Sequence, residues 1–195
     1  MVQRKATVTR RTTETSVKVE INIDGRSQFE VTTGIRFFDH MLCQLAQHGI
    51  FDLKISANGS DQHHVVEDVA IALGRAFSQA LGEKQGIVRM GHAIVPMDDS
   101  LALVALDISG RGHAFIEDAL KEPYISEMHS DLIHHFFVSF AAEARINIHA
   151  QVMRGKNDHH KAEALFKALA RALDSATRID PRITDIIPST KDKLE

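Results

Sequence analysis

Apolar positions along this chain fall into two rhythms, and each rhythm occurs twice. In DQHHVVEDVAIALGRAFSQALG (61–82) and NDHHKAEALFKALARALDSA (157–176), apolar residues recur at steps of three and four. That spacing predicts two amphipathic helices, each with HHxxE at its front. Asp61 and Asn157 stand where N-caps belong. The stripes superpose at an offset of 96: Val69 on Leu165, Leu73 on Leu169, Phe77 on Leu173. Upstream, His40, Met41, Leu42, Leu45 and Ala46 fall on His135, Phe136, Phe137, Phe140 and Ala141 at an offset of 95, giving a second helical pair. FDLKISA (51–57) and INIHAQV (146–152) alternate in and out like strands. VKVEINIDGR (17–26) and ALVALDISGR (102–111) read as strands ending in a glycine turn, offset by 85.

Each half therefore reads as strand, strand, helix, strand, helix, with one further strand left open. Neither half can bury both faces of its sheet alone. The expected fold is α+β: an internal duplication with two sheets and the helices packed between them. One domain spanning 1–195 would consist of two repeats, about 1–91 and 92–195. The alternative is two copies that pair with other chains.

Composition adds four exclusions. With 44% hydrophobic and 25% charged residues, the chain has an ordinary globular make-up. A single cysteine, Cys43, excludes an internal disulfide and fits a reducing compartment; it reads as helix core rather than a nucleophile. No apolar run approaches the roughly 20 residues that span a bilayer. The start, MVQRKATVTRR, lacks the apolar stretch of a secretory leader, so the expected location is cytoplasmic. A net charge of −3 argues against a general nucleic-acid binder.

Histidine is the outlier, 12 residues against no Trp and one Tyr. Within HHxxE the first His and the Glu sit four apart on one helix face. The second His points about 100° away. The first His and the Glu should share one ion, and the second His should reach another. Two copies give a reciprocal pair of sites: His63, Glu67 and His160 in one, His159, Glu163 and His64 in the other, with His40 and His135 completing the sets. Three imidazoles and a carboxylate suit Mn, Fe, Ni or Zn better than Mg or Ca, and leave positions open for substrate. His92, His113, His129, His134 and His149 read mostly as surface or core residues.

Weaker candidates surround this set. Arg89 and Arg111 have the geometry for phosphate. Asp98 and Asp99 stand where they can orient metal-bound rings, or simply form a turn. Glu14 is a candidate acid or base. Ser189, Thr190 and Lys191 either close on a phosphate or fray at the terminus. A dinuclear hydrolase and a metal-storage shell compete with other metal-enzyme readings at this level.

The runs GIRFFDHMLCQLAQHG, DQHHVVEDVAIALG, PMDDSL and GKNDHHKAEALFKALARAL resemble the imidazoleglycerol-phosphate dehydratase family of histidine biosynthesis, from about Thr12 to Lys191. The resemblance implies a lyase with two Mn(II) per subunit, in a 24-subunit homo-oligomer with metal sites at subunit interfaces. It implies metal ligands His40, His63, His64, Glu67, His135, His159, His160 and Glu163. It implies contacts to a small phosphorylated substrate from Glu14, His48, Arg89, Arg111, Lys167, Ser189, Thr190 and Lys191, with His40, His63, Glu67 and His159 also meeting the substrate. The reaction would remove water from an imidazole glycerol phosphate to give imidazole acetol phosphate. A metal-bound imidazolate would expel the hydroxyl and leave a diazafulvene-like intermediate with an acidic neighbouring C–H. Glu14 is the first choice for acid or base. Lys167, one turn after Glu163 on the same helix face, would hold the phosphate or assist a hydroxyl with its charge.

Overall fold

A computed structural model describes residues 4–194; Met1–Gln3, where the leader reading begins, and Glu195 lie outside the described residues. The first half runs β1 (Lys5–Arg11), β2 (Thr15–Asn22), β3 (Phe29–Thr32), α1 (Arg36–Gly49), β4 (Asp52–Gly59) and α2 (Gln62–Leu81). The second runs β5 (Met90–Met97), β6 (Ser100–Asp107), β7 (His113–Glu117), a short hairpin β8 (Tyr124–Ile125) and β9 (Met128–His129), α3 (Asp131–Ala144), β10 (Asn147–Arg154) and α4 (Asp158–Thr177).

The two four-stranded sheets have the same topology, β1-β2-β4-β3 and β5-β6-β10-β7. Three strands of each are antiparallel, and the last pair, β3 with β4 or β7 with β10, is parallel. The fold is thus α+β with an internal duplication, as the periodicity predicts. β3 and β7 are the further strand left open by the sequence. They are short, four and five residues, and no residue in either is fully buried, so their apolar signal is weak. The offset grows from 85 to 95 between the sheet strands and the helices because the second repeat carries the segment 118–130, with its hairpin, between β7 and α3.

Each long helix packs on its own sheet, and each short helix crosses to the other repeat's long helix. α2 lies on β1 and β2 and takes α3 against it; α4 lies on β5 and β6 and takes α1. Phenylalanines fill the resulting layer. The Phe136 ring lies 5.6 Å from Phe38, 5.0 Å from Phe166 and 5.9 Å from Phe140, all buried. Burial of one such ring contributes roughly 1.5–3 kcal/mol. The helices approach closely at Gly74, where a Cβ would lie 2.8 Å from the Phe140 carbonyl oxygen. β5 passes α4 the same way at Gly91, against the Ala172 carbonyl. Among the described residues no helix is long and apolar enough to cross a membrane.

Candidate metal centres and a cationic cavity

The crossed packing decides where the histidines meet. α1 carries His40 onto α4, whose first two turns present His159 and Glu163. Donor atoms of these three lie within 4.8 Å of one another. His40 Nε2 is 3.2 Å and His159 Nε2 is 3.3 Å from the same oxygen of Glu163. By the same geometry α3 brings His135 to His63 and Glu67 on α2, again within 4.8 Å. The His63 and His135 rings stack at 4.6 Å, and His135 Nε2 is 3.6 Å from Glu67. The sequence left open which set His40 and His135 complete; each completes the motif of the opposite repeat.

The second histidines point elsewhere, as the 100° rotation requires. Among the described residues no cluster of three or more ligating groups includes His64 or His160. Within one chain, therefore, His160 does not join His63 and Glu67, and His64 does not join His159 and Glu163. His64 lies between Asp61, 2.7 Å from its Nδ1, and Glu14, 3.4 Å from its Nε2. His160 Nδ1 bonds Asp99 at 2.6 Å, and Asp98 is 3.4 Å from its Nε2.

Local capping holds both motifs. Asp61 accepts from His64 N, and Asn157 accepts from His159 N and His160 N, so both expected N-caps form. The donor sets fit a divalent transition ion: two imidazoles and a carboxylate converge, and His135 Nε2 is buried with no hydrogen-bond partner. Burial pushes the Glu163 carboxyl up, but hydrogen bonds from Lys167, 2.7 Å away, and from His40 outweigh it and hold the group below the ordinary value. A hydrogen bond from His160, with the Lys156 N–H, holds Asp99 well below the usual carboxylate range. His48 is pushed down, by burial first and then by the charges of Lys167 and Arg171; its ring bonds Gln44 at 3.1 Å.

A separate cavity of about 290 Å³ is lined by Arg89, Ser109, Arg111, Ser189, Thr190, Lys191 and Lys193. The five residues that the sequence offered as phosphate candidates, Arg89, Arg111, Ser189, Thr190 and Lys191, meet here. Arg89 has φ +75°, in the left-handed region where a non-glycine residue is strained. Its guanidinium forks onto Asp107 at 2.7 and 2.9 Å and donates to the Pro188 carbonyl at 2.8 Å, tying the C-terminal segment to the sheet. Sequence reasoning missed Asp107 and Ser109. Asp107 ends a strand and Ser109 sits in a turn, and neither carries a local signal. It also missed Asp68, a buried α2 carboxylate bonded by Arg10 at 2.6 Å and by the Thr15 hydroxyl, which fixes the β1–β2 turn bearing Glu14.

An internally duplicated α+β chain with two crossed His/carboxylate clusters and a cationic cavity is a narrowly defined class of protein. The family model for imidazoleglycerol-phosphate dehydratase matches residues 33–173. The imidazoleglycerol-phosphate dehydratase of Dehalococcoides mccartyi is 58% identical over 195 residues, all of both chains. That of Methanothermobacter thermautotrophicus is 52% identical over 197 aligned positions, again all of both. The Staphylococcus aureus enzyme structure superposes with a TM-score of 0.84 at 34% identity, covering 90% of this chain and 99% of that one. The Pyrococcus furiosus structure gives 0.84 at 35% identity, covering 96% and 100%. The chain belongs to the imidazoleglycerol-phosphate dehydratase family.

Proposed function

We propose that this chain is a manganese-dependent hydro-lyase that converts imidazole glycerol phosphate to imidazole acetol phosphate in the cytoplasm. The observation that carries the reading is the cationic cavity, which gathers Arg89, Arg111, Ser189, Thr190 and Lys191 in a member of this family. A phosphate held there anchors the end of the substrate remote from the chemistry.

Two divalent cations per chain would be held by His40, His159 and Glu163 and by His63, Glu67 and His135, with His64 and His160 contributed across subunit contacts. Bound there, they would supply Lewis acidity that lowers the pKa of an imidazole ring N–H, so that the deprotonated ring can push out the hydroxyl on the attached carbon. Departure of that hydroxyl, protonated to water, would make the C–H of the neighbouring carbon acidic. Glu14 is the base in this reading, supported by its carboxylate standing 3.4 Å from Nε2 of His64. Lys167 keeps Glu163 ionised and brings a second positive charge to the same helix face. The three-donor clusters, with both second histidines directed away from them, support a closed homo-oligomer that completes each site with a neighbour's His.

The test is a dehydration assay. Metal-stripped protein is given imidazoleglycerol phosphate with and without Mn(II), and the ketone is followed. Activity restored by manganese and lost in His64→Ala is the expected result. Bound manganese without product would overturn the substrate assignment. A chelator-stripped protein that keeps its full assembly size would overturn the claim that the metal joins the subunits.

A further inference from the structure

We propose that Asp99, and more weakly Asp61, are positioning residues that set the rings of His160 and His64 with the proton on Nδ1, leaving Nε2 of each as the nitrogen that would ligate a divalent cation. This rests on the metal reading above. An imidazole that ligates through Nε2 must carry its proton on Nδ1, and that N–H needs an acceptor to set the ring's angle. His160 has one, since its Nδ1 bonds Asp99 Oδ1 at 2.6 Å; His64 has a carboxylate at the same place, Asp61 Oδ2 standing 2.7 Å from Nδ1 but outside hydrogen-bond geometry.

The two carboxylates come from different places, which makes the coincidence informative. Asp61 is the N-cap of α2. The matching N-cap of α4 is Asn157, a neutral amide whose oxygen is occupied by His159 N and His160 N. The missing charge is supplied instead from the β5–β6 turn, where Asp99 reaches the ring. Asp99 is itself pinned by the backbone N–H of Lys156 at 2.5 Å and of Asn157 at 3.2 Å. The residue matching Asp99 in the first repeat, at the offset of 85, is Glu14, and it approaches the other nitrogen of its histidine. The repeats have exchanged the source of the carboxylate while keeping it beside the same atom of the equivalent ring. At Asp99 the contact is a hydrogen bond. At Asp61 the distance is short but the angle falls outside hydrogen-bond geometry, so Asp99 is the stronger positioner.

The experiment is an Mn(II) titration of the metal-stripped full chain, with free Mn(II) read by its EPR signal. Asp99→Ala should weaken binding at the affected sites by about 10–100-fold. Asp61→Ala should weaken it less. Asn157→Asp, added to Asp99→Ala, restores a carboxylate at the position matching Asp61 and should recover several-fold of the loss. If Asp99→Ala unfolds, Asp99→Asn serves, since its amide oxygen keeps an acceptor for the two backbone N–H groups. Undiminished Mn(II) affinity in a folded Asp99 variant overturns the inference while leaving the metal reading intact. A loss that Asn157→Asp does not repair also overturns it, because Asp99 would then only hold the Lys156 loop. Wild-type protein that binds no Mn(II) overturns the metal reading itself.

Discussion

The two repeats share a backbone plan and differ in their charges. At equivalent places α2 has Gln62, Val65, Glu67 and Ile71, and α4 has Asp158, Lys161, Glu163 and Lys167. Glu163 has a side chain 6% exposed and is gripped by Lys167; Glu67 is 37% exposed, and the lysine's place is taken by Ile71. Lys161 is fully buried and ties α4 to the 118–130 segment through Asp158 and the Ala119 carbonyl, where the first repeat has a buried valine. Apolar spacing alone suffices to repeat the fold. The charges then set one cluster in a rigid ionic frame and leave the other more open.

The largest effect should come from that ionic frame. Asp158 accepts the N–H groups of Lys121 and Glu122, both at 2.7 Å, and the Lys161 ammonium at 2.6 Å. Asp158→Ala strands a buried cation, and such a loss is expected to cost about 3–5 kcal/mol of unfolding free energy by urea denaturation. Asp158→Gln with Lys161→Val installs the first repeat's pair and should return most of that stability. If the double variant is no more stable than Asp158→Ala, the ion pair is not what distinguishes the repeats.

The clusters come next. Glu163→Gln and Glu67→Gln should each lower kcat/KM by at least roughly 100-fold, since both remove an anionic donor from a proposed metal site. Only Glu163→Gln should also lower the melting temperature of the metal-free protein, because only Glu163 holds a partly buried lysine. Equal melting temperatures for the two variants would show that Lys167 does not stabilise its carboxylate.

What the two repeats share was legible in the sequence alone. The paired HHxxE motifs, both N-caps and the helix-between-sheets plan follow from periodicities of 3.6 and 2, which are local. The crossing of His40 to Glu163 was not, because it depends on which helix packs on which. Lys161 escaped notice for another reason: beside a polar helix start, a lysine reads as solvated, and only the long segment covering it makes it buried. β8 and β9, two residues each, are too short for any period to register.

A smaller effect separates two arginines. Arg26 and Arg111 occupy matching glycine turns, but only Arg111 borders the cationic cavity. Arg111→Ala should raise KM by about 10-fold with kcat nearly kept, as expected for an anchor that binds ground and transition states alike. Arg26→Ala should leave both unchanged. A fall in kcat alone for Arg111→Ala would remove it from anchoring and place it nearer the chemistry.

The smallest effect, and the finest test of the comparison, is in acid. Burial pushes the Asp158 carboxyl up, but the N–H of Glu122, the Lys161 ammonium and the N–H of Lys121 together hold it below the ordinary aspartate value of 3.8. A carboxyl depressed in the folded state stabilises the protein fully above its unfolded value, and that contribution fades as pH falls through the folded value. The stability difference between metal-free wild type and the Asp158→Gln, Lys161→Val double variant should therefore be flat from pH 6 to 8 and begin to shift in the double variant's favour below about pH 4. The first repeat's pair has no such carboxyl, so the double variant should lose less stability on acidification. Parallel acid profiles for the two proteins would mean that the buried pair gives the second repeat no pH dependence of its own, leaving the cluster carboxylates as the charges that set the halves apart.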